Sequence, residues 1–168
     1  DPPDMSIFVI DDHPLMREAV VMLLRRLRAS TQVVELERLA AVSKAIAEHG
    51  EPELVCLDLK LPDTNGVSGV REVRQMLPDT SLIVLSASPS SDYEDLAREA
   101  GADAYVEKSA GAAQIAKVLR EFLADEVEDE NAPTIPEKLS KRQKQLLVML
   151  DRGLSNRDIA EQLQISEH

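Results

Sequence analysis

The run Ser6-Ile7-Phe8-Val9-Ile10 is apolar after its first residue and stops abruptly at Asp11-Asp12-His13-Pro14. A short β-branched and aromatic run ended by charge predicts a buried strand. Pro14 suits the first turn of a helix, and Leu15, Ala19, Met22, Leu23 and Leu27 follow at helical spacing. The same unit then recurs along the chain. Gln32-Val33-Val34-Glu35-Leu36 predicts a second strand, and residues 39–49 a helix stopped by Gly50. Leu54-Val55-Cys56-Leu57 predicts a third strand ending in Asp58, and residues 67–77 a third helix. Leu82-Ile83-Val84-Leu85 predicts a fourth strand ending in Ser86. Ser91-x-x-Glu94 reads as a capping box for a helix that stops at Gly101. Ala104-Tyr105-Val106-Glu107 predicts a fifth strand ending at Lys108, with Ser109 capping a helix through Ile115, Val118, Leu119 and Phe122.

Five strands alternating with helices define an α/β fold. Nearly continuous apolar strands belong to a parallel sheet covered on both faces, here a doubly wound five-stranded (βα)5 sheet with expected order 2-1-3-4-5. Such sheets bind ligands outside the carboxyl ends of their strands. Asp11, Asp12, Asp58, Ser86 and Lys108 all end strands, so all are expected on one edge. Clustered carboxylates repel one another unless a cation intervenes. Oxygen ligands suit Mg²⁺, which takes a few carboxylates together with phosphate oxygens and water. Lys108 offers a point charge, Ser86 a hydroxyl, and an Asp carboxylate can itself attack phosphorus. Taken singly, each feature has an ordinary reading: Asp12-His13-Pro14 as a helix start, one Asp as a turn residue, Ser86 as a local hydrogen-bonder, Lys108 as solvated surface. Their joint placement on four strand ends points to a site where Mg²⁺ and Lys108 hold a phosphoryl group against one carboxylate.

Composition bounds the alternatives. The chain has 168 residues, 43% hydrophobic and 2% aromatic, with a net charge of −12. No apolar run approaches the ~18 residues of a membrane span. Asp1-Pro2-Pro3-Asp4 does not resemble a secretory leader, and a cytoplasmic location is expected. Cys56 is the only cysteine, set in an apolar strand and read as core, which leaves no disulfide or cysteine-cluster metal site. Net −12 argues against general nucleic-acid binding, but the charge is uneven. Residues 1–124 carry −8, residues 125–138 carry −5 and residues 139–168 carry +1. The middle segment, acidic and with two prolines, reads as a linker.

Ile10-Asp11-Asp12-His13-Pro14, Asp58-Leu59-Lys60-Leu61-Pro62-Asp63-x-x-Gly66, Leu85-Ser86-Ala87 and Gly101-Ala102-Asp103-Ala104-Tyr105-x-x-Lys108-Ser109 together resemble the receiver domain of two-component response regulators, a flavodoxin-like fold, over residues 5–124. The resemblance implies that Asp58 is the phospho-acceptor. It implies that Asp12 and Asp58 ligate Mg²⁺ directly, Asp11 through water, and Lys60 through its backbone carbonyl. Ser86 and Tyr105 match the family's switch pair, and Lys108 its phosphate-pairing lysine. Ser109 stands where many receivers carry proline. A cis bond before a non-proline costs ~2.5–4 kcal/mol, so a trans bond is expected here. A haloacid-dehalogenase-like phosphatase would need a second Asp where Lys60 stands. A flavin-binding sheet would place a phosphate against Asp11-Asp12, which would repel it.

Beyond the linker, Ser140-x-x-Gln143 reads as a capping box and Leu146, Leu147, Met149 and Leu150 as an apolar stripe ended by Gly153. Ser155-x-x-Asp158 restarts a helix with Ile159, Ala160 and Leu163, and Ile165-Ser166-Glu167 caps a third. Gly153-Leu154-Ser155-Asn156-Arg157-Asp158-Ile159-Ala160 and its neighbours over residues 139–168 resemble the start of a LuxR-type helix-turn-helix domain. Receiver plus such a domain is the NarL/FixJ architecture. The resemblance stops before the DNA-reading helix, so a truncated partial domain is expected, with specific DNA binding reserved for the full-length form and with apolar faces that the receiver or another chain must cover.

The function expected from the resemblance is Mg²⁺-dependent phosphoryl transfer from a sensor histidine kinase to Asp58, a regulator's self-catalysed step rather than metabolic enzymology. It would control transcription, with a homodimer face on the first and last receiver helices. The competing expectation is a receiver-like docking module that is never phosphorylated.

Overall fold

The computed structural model describes residues 6–123 and 139–152. Its elements, in chain order, are β1 (Ser6–Ile10), α1 (Pro14–Leu27), β2 (Gln32–Leu36), a 3₁₀ turn (Leu39–Ala41) leading into α2 (Val42–His49), and β3 (Leu54–Asp58). There follow α3 (Ser68–Met76), β4 (Ser81–Ser86), α4 (Ser90–Ala100), β5 (Ala104–Glu107), a second 3₁₀ turn (Lys108–Ala110), α5 (Ala112–Phe122) and α6 (Lys141–Arg152). All four strand pairings are parallel, and the order is β2-β1-β3-β4-β5, as expected from the alternation. The register sets Ile10 beside Leu57, Asp58 beside Leu85 and Ser86 beside Glu107. The ends of β1, β3, β4 and β5 therefore share one edge.

Strand side chains alternate between faces, so each strand feeds two cores. Ile7, Val9, Leu54, Cys56, Ile83, Leu85 and Val106 pack with α1 and α5 on one face. Phe8, Ile10, Val55, Leu57, Leu82, Val84 and Tyr105 pack with α2, α3 and α4 on the other. Cys56 is buried as expected, and burial pushes its thiol pKa up to about 12. Every described peptide bond is trans, including the one before Ser109. Among the described residues no helix is long and apolar enough to cross a membrane.

Several helix starts differ from the local patterns. The N-cap of α4 is Pro89, and neither Ser91 nor any other side chain caps it. Pro89 sits at φ −59°, ψ 145°, a conformation natural to proline, so the helix opens at Ser90 and Ser91 lies within its first turn. Ser109 is no cap either: it lies within the second 3₁₀ turn, and α5 begins only after Gly111 at φ 94°. Pro14 does open α1, but the N-cap is His13, whose backbone N–H donates to Asp11 Oδ1 at 2.9 Å. By contrast the Ser140/Gln143 box forms in both directions, each bond 3.0 Å. The expected linker at 125–138, the stop at Gly153, the second box at Ser155 and the cap at Ser166 lie outside the described residues.

Arg74 ties the end of α3 to the turns around it. Its guanidinium donates to the carbonyls of Gly101 (2.7 Å), Leu77 (3.0 Å) and Thr80 (2.6 Å) and to Asp103 Oδ2 (3.1 Å). Gly101 has φ 126°, and a Cβ there would meet Arg74 Cγ at 2.7 Å. Removing the guanidinium strands several carbonyls at once. Arg74→Ala is expected to cost about 2 kcal/mol, read as a lower urea midpoint with an unchanged slope.

Candidate functional site

Asp11 and Asp12 follow β1, Asp58 ends β3, Ser86 ends β4, and Lys108 follows β5. Strand order places these ends side by side. Asp11, Asp58 and Lys108 are all buried, at 4%, 4% and 7% exposure. A lysine that deep requires partners. Lys108 Nζ lies 3.0 Å from Asp11 Oδ2 and 3.2 Å from Asp58 Oδ2. Arg17, one turn into α1, donates to the Asp11 carbonyl at 2.6 Å and pins the β1 exit.

His13, which the sequence offers only as part of a helix start, turns its ring into the cluster. Its Nδ1 is 3.0 Å from Asp11 Oδ1, 3.2 Å from Asp12 Oδ1 and 3.5 Å from Asp58 Oδ2. The signal available beforehand was its adjacency to two carboxylates. Lys60 enters through its backbone N–H, which donates to Asp58 Oδ1 at 3.2 Å.

The electrostatics separate the two buried carboxylates. Burial alone would raise Asp11, but the His13 hydrogen bond and the Lys108 charge outweigh it and hold the carboxyl below its ordinary value. Burial raises Asp58 to about 6, with Asp11 adding repulsion and Lys108 offsetting only part. His13 is raised, chiefly by its hydrogen bond to Asp11.

Ser86 ends β4, and Tyr105 lies on the neighbouring β5. Ser86 is fully buried, and its Oγ accepts the Ser88 N–H at 3.0 Å. The Tyr105 hydroxyl donates to the Ser88 carbonyl at 2.8 Å, so both residues hold the segment after β4. Burial raises the Tyr105 pKa. A cleft of about 310 Å³ opens beside the carboxylates, lined among others by Asp12, Lys60, Asn65, Ser88 and Tyr93.

Asp11, Asp12, His13 and Asp58 offer ligand atoms that all lie within 4.8 Å of one another. Asp12 Oδ1 is buried and has no hydrogen-bond partner. His13 Nδ1 stands 3.2 Å from that oxygen without hydrogen-bonding it, so a cation could still satisfy it, and the oxygen-dominated set fits a metal ion.

The geometry agrees with the comparisons. The response regulator receiver domain model matches residues 7–120, and the model of bacterial regulatory proteins of the luxR family matches residues 137–168. The transcriptional regulatory protein YhcZ of Bacillus subtilis is 30% identical over 182 residues, covering 97% of this chain and 83% of that one. The nitrate/nitrite response regulator protein NarL of Escherichia coli K12 is 28% identical over 178 residues, covering 96% and 82%. A crystal structure of a LuxR-family two-component response regulator from Aurantimonas sp. SI85-9A1 superposes with a TM-score of 0.63 at 30% identity, covering 71% of this chain and 85% of that one. A parallel sheet with this carboxylate edge, followed by a segment of the luxR family, places the chain among the two-component response regulators that control transcription through a LuxR-type helix-turn-helix.

Proposed function

We propose that Asp58 is the phospho-acceptor of this regulator. The observation that carries the reading is the buried Lys108 ammonium shared by Asp11 (3.0 Å) and Asp58 (3.2 Å) at the ligand-binding edge of the sheet. The division of the chain is residues 5–124 as receiver, 125–138 as linker and 139–168 as the helix-turn-helix part.

In the reaction, an Asp58 carboxylate oxygen forms a P–O bond as the P–N bond to a sensor kinase's phosphohistidine breaks. The leaving imidazole nitrogen takes up a proton. Asp12, Asp58 and the Lys60 carbonyl would hold Mg²⁺, with Asp11 behind a water. Bound there, the ion would neutralise charge on the phosphoryl oxygens. Lys108 gives up its share of Asp11 to grip a phosphoryl oxygen. Ser86 reorients its hydroxyl toward another, which frees Ser88 N–H and the contact held by Tyr105. The pair thereby biases a two-state segment after β4. DNA is the output partner through the luxR-family segment, and a cytoplasmic location belongs to this reading.

The test is mass mapping after incubation with a small phosphodonor. The expected result is one acid-labile phosphate, dependent on Mg²⁺, confined to the peptide that contains Asp58. Phosphate on another residue, or none with Mg²⁺ present, overturns the assignment and favours a docking module without phosphorylation.

A further inference from the structure

Thr64 organises the loop between β3 and α3, which carries Lys60. Its hydroxyl donates to the Leu59 carbonyl at 2.9 Å and accepts the Leu61 N–H at 3.2 Å. The Leu61 carbonyl accepts the Thr64 backbone N–H at 3.3 Å. The carbonyls on either side of Lys60 are thus both occupied. Among the described residues, no donor hydrogen-bonds the Lys60 carbonyl between them.

The peptide unit is a rigid plane, and in its trans form the N–H and C=O point in opposite directions. Every described peptide bond is trans. Two such planes flank the Lys60 Cα. In the first, the Lys60 N–H points at Asp58 Oδ1 (3.2 Å) and the Leu59 carbonyl at Thr64. In the second, the Leu61 N–H points at Thr64, so the Lys60 carbonyl points away from it. Asp58 and Thr64 stand at opposite ends of the first plane. Turning away from Thr64 therefore turns the Lys60 oxygen to the side on which Asp58 stands.

The hydroxyl is itself held in place. Thr64 Cγ2 is lodged against α3 at Gly69, where an added Cβ would come within 3.1 Å of that methyl. With the methyl seated there, the branched Cβ leaves Oγ1 directed into the loop. Leu59 and Leu61, each 5% exposed, root the same stretch in the core. Asp63 ties its outer side to a different segment. The Asp63 carboxylate accepts the N–H groups of Leu39 (3.0 Å) and Ala40 (2.9 Å). These open the 3₁₀ turn that leads into α2, whose N-cap Arg38 supplies no side-chain cap.

We propose that Thr64 is a positioning residue of the metal site. Its hydroxyl sets the peptide plane that aims the Lys60 carbonyl, and Asp63 anchors the loop to the start of α2. The inference deepens the reading in which that carbonyl is an ion ligand, and rests on it. Without the hydroxyl, the plane between Lys60 and Leu61 loses the bond that orients it. Once turned over, it offers an N–H, the wrong end of the dipole for a cation.

The test is an Mg²⁺ titration of the whole isotope-labelled chain, followed by NMR at the Lys60 carbonyl carbon and at the carboxyl carbons of Asp12 and Asp58. In the parent all three are expected to respond with one affinity. Thr64→Val keeps the methyl and removes the hydroxyl, and is expected to weaken Mg²⁺ binding about tenfold. Thr64→Ser restores the hydroxyl and is expected to recover most of the loss. Asp63→Ala, at an exposed position, is expected to weaken binding less, and it reads the same loop if the valine variant does not fold. Arg74→Ala is the control for a general loss of packing: it destabilises the other end of α3 and is expected to bind Mg²⁺ as the parent does. Parent-like affinity in Thr64→Val overturns the proposal, and a responding Lys60 carbonyl then leaves the ligand reading standing. So does an equal loss in Arg74→Ala, or a loss that Thr64→Ser does not repair. Parent-like affinity in Asp63→Ala overturns the anchor on α2. A Lys60 carbonyl that stays still while Asp12 and Asp58 respond overturns the ligand reading and the positioning role with it, as does the absence of any response to Mg²⁺.

Discussion

Asp58→Asn is expected to lose all acid-labile phosphate and, in the same preparation, to become more stable. Asp58 titrates at about 6 in the folded chain against 3.8 for an ordinary aspartate. A raised folded pKa means that the folded state holds its proton more tightly than the unfolded state does. The associated stability is fully present below pH 3.8 and is lost as the pH rises through about 6. Above that point the charged Asp58 is a burden of up to about 3 kcal/mol. Asparagine keeps the shape and removes the charge, at the loss of the Lys108 pairing. The expected net gain is about 2 kcal/mol at pH 7.5 in EDTA, or roughly 4–8 °C in Tm. The gain should shrink below pH 6, and added Mg²⁺ should narrow it by stabilising only the parent chain. Urea denaturation at pH 7.5 and pH 5 reads it directly. An asparagine variant less stable than the parent at pH 7.5 contradicts the electrostatic account.

Lys108→Ala is expected to act in the opposite direction. It leaves Asp11 and Asp58, each 4% exposed, without the cation they share. Breaking a buried pair by removing one partner costs about 3 kcal/mol, because the other charge stays behind. The loss also pushes Asp58 further up, since Lys108 is the main influence holding it down. Two signatures separate this from a general packing defect. Mg²⁺ should recover much of the loss by supplying positive charge at the same carboxylates. The double change Asp58→Asn with Lys108→Ala should be more stable than the sum of the single effects by roughly 1 kcal/mol or more, because the two residues share one network. Strict additivity in a denaturation cycle would show that they do not interact.

The strand ends were legible in the sequence because of a simple physical asymmetry. Parallel strands covered on both faces read as unbroken apolar runs, so a carboxylate or lysine ending one stands out, as Asp11, Asp58 and Lys108 do. Helix starts were less legible, because a capping pattern is satisfied by geometry that the local sequence does not contain. Ser140 and Gln143 meet because both lie at the start of one helix. Ser91 does not cap because Pro89 sets the turn one step earlier. Ser109 does not because the chain must first carry Lys108 into the site, and the cap for α5 arrives from Asp151. Arg74 was invisible for the same reason, since its partners at Leu77, Thr80, Gly101 and Asp103 converge only in three dimensions. The apolar stripe of α6 announced that something must cover it, and the structure identifies the α1 and α5 face.

The two cores have a consequence for how this architecture changes over time. Tyr105 and the segment after β4 belong to one side of the sheet, and the seat of α6 belongs to the other. The sheet insulates them, and they meet only at the carboxylate edge. A substitution in the packing around Tyr105 and the segment after β4 therefore leaves the seat of α6 untouched. Exchange of the C-terminal module for another needs new residues on α1, on α5 and in the turn that joins β5 to α5, with the carboxylates at the sheet edge inherited intact.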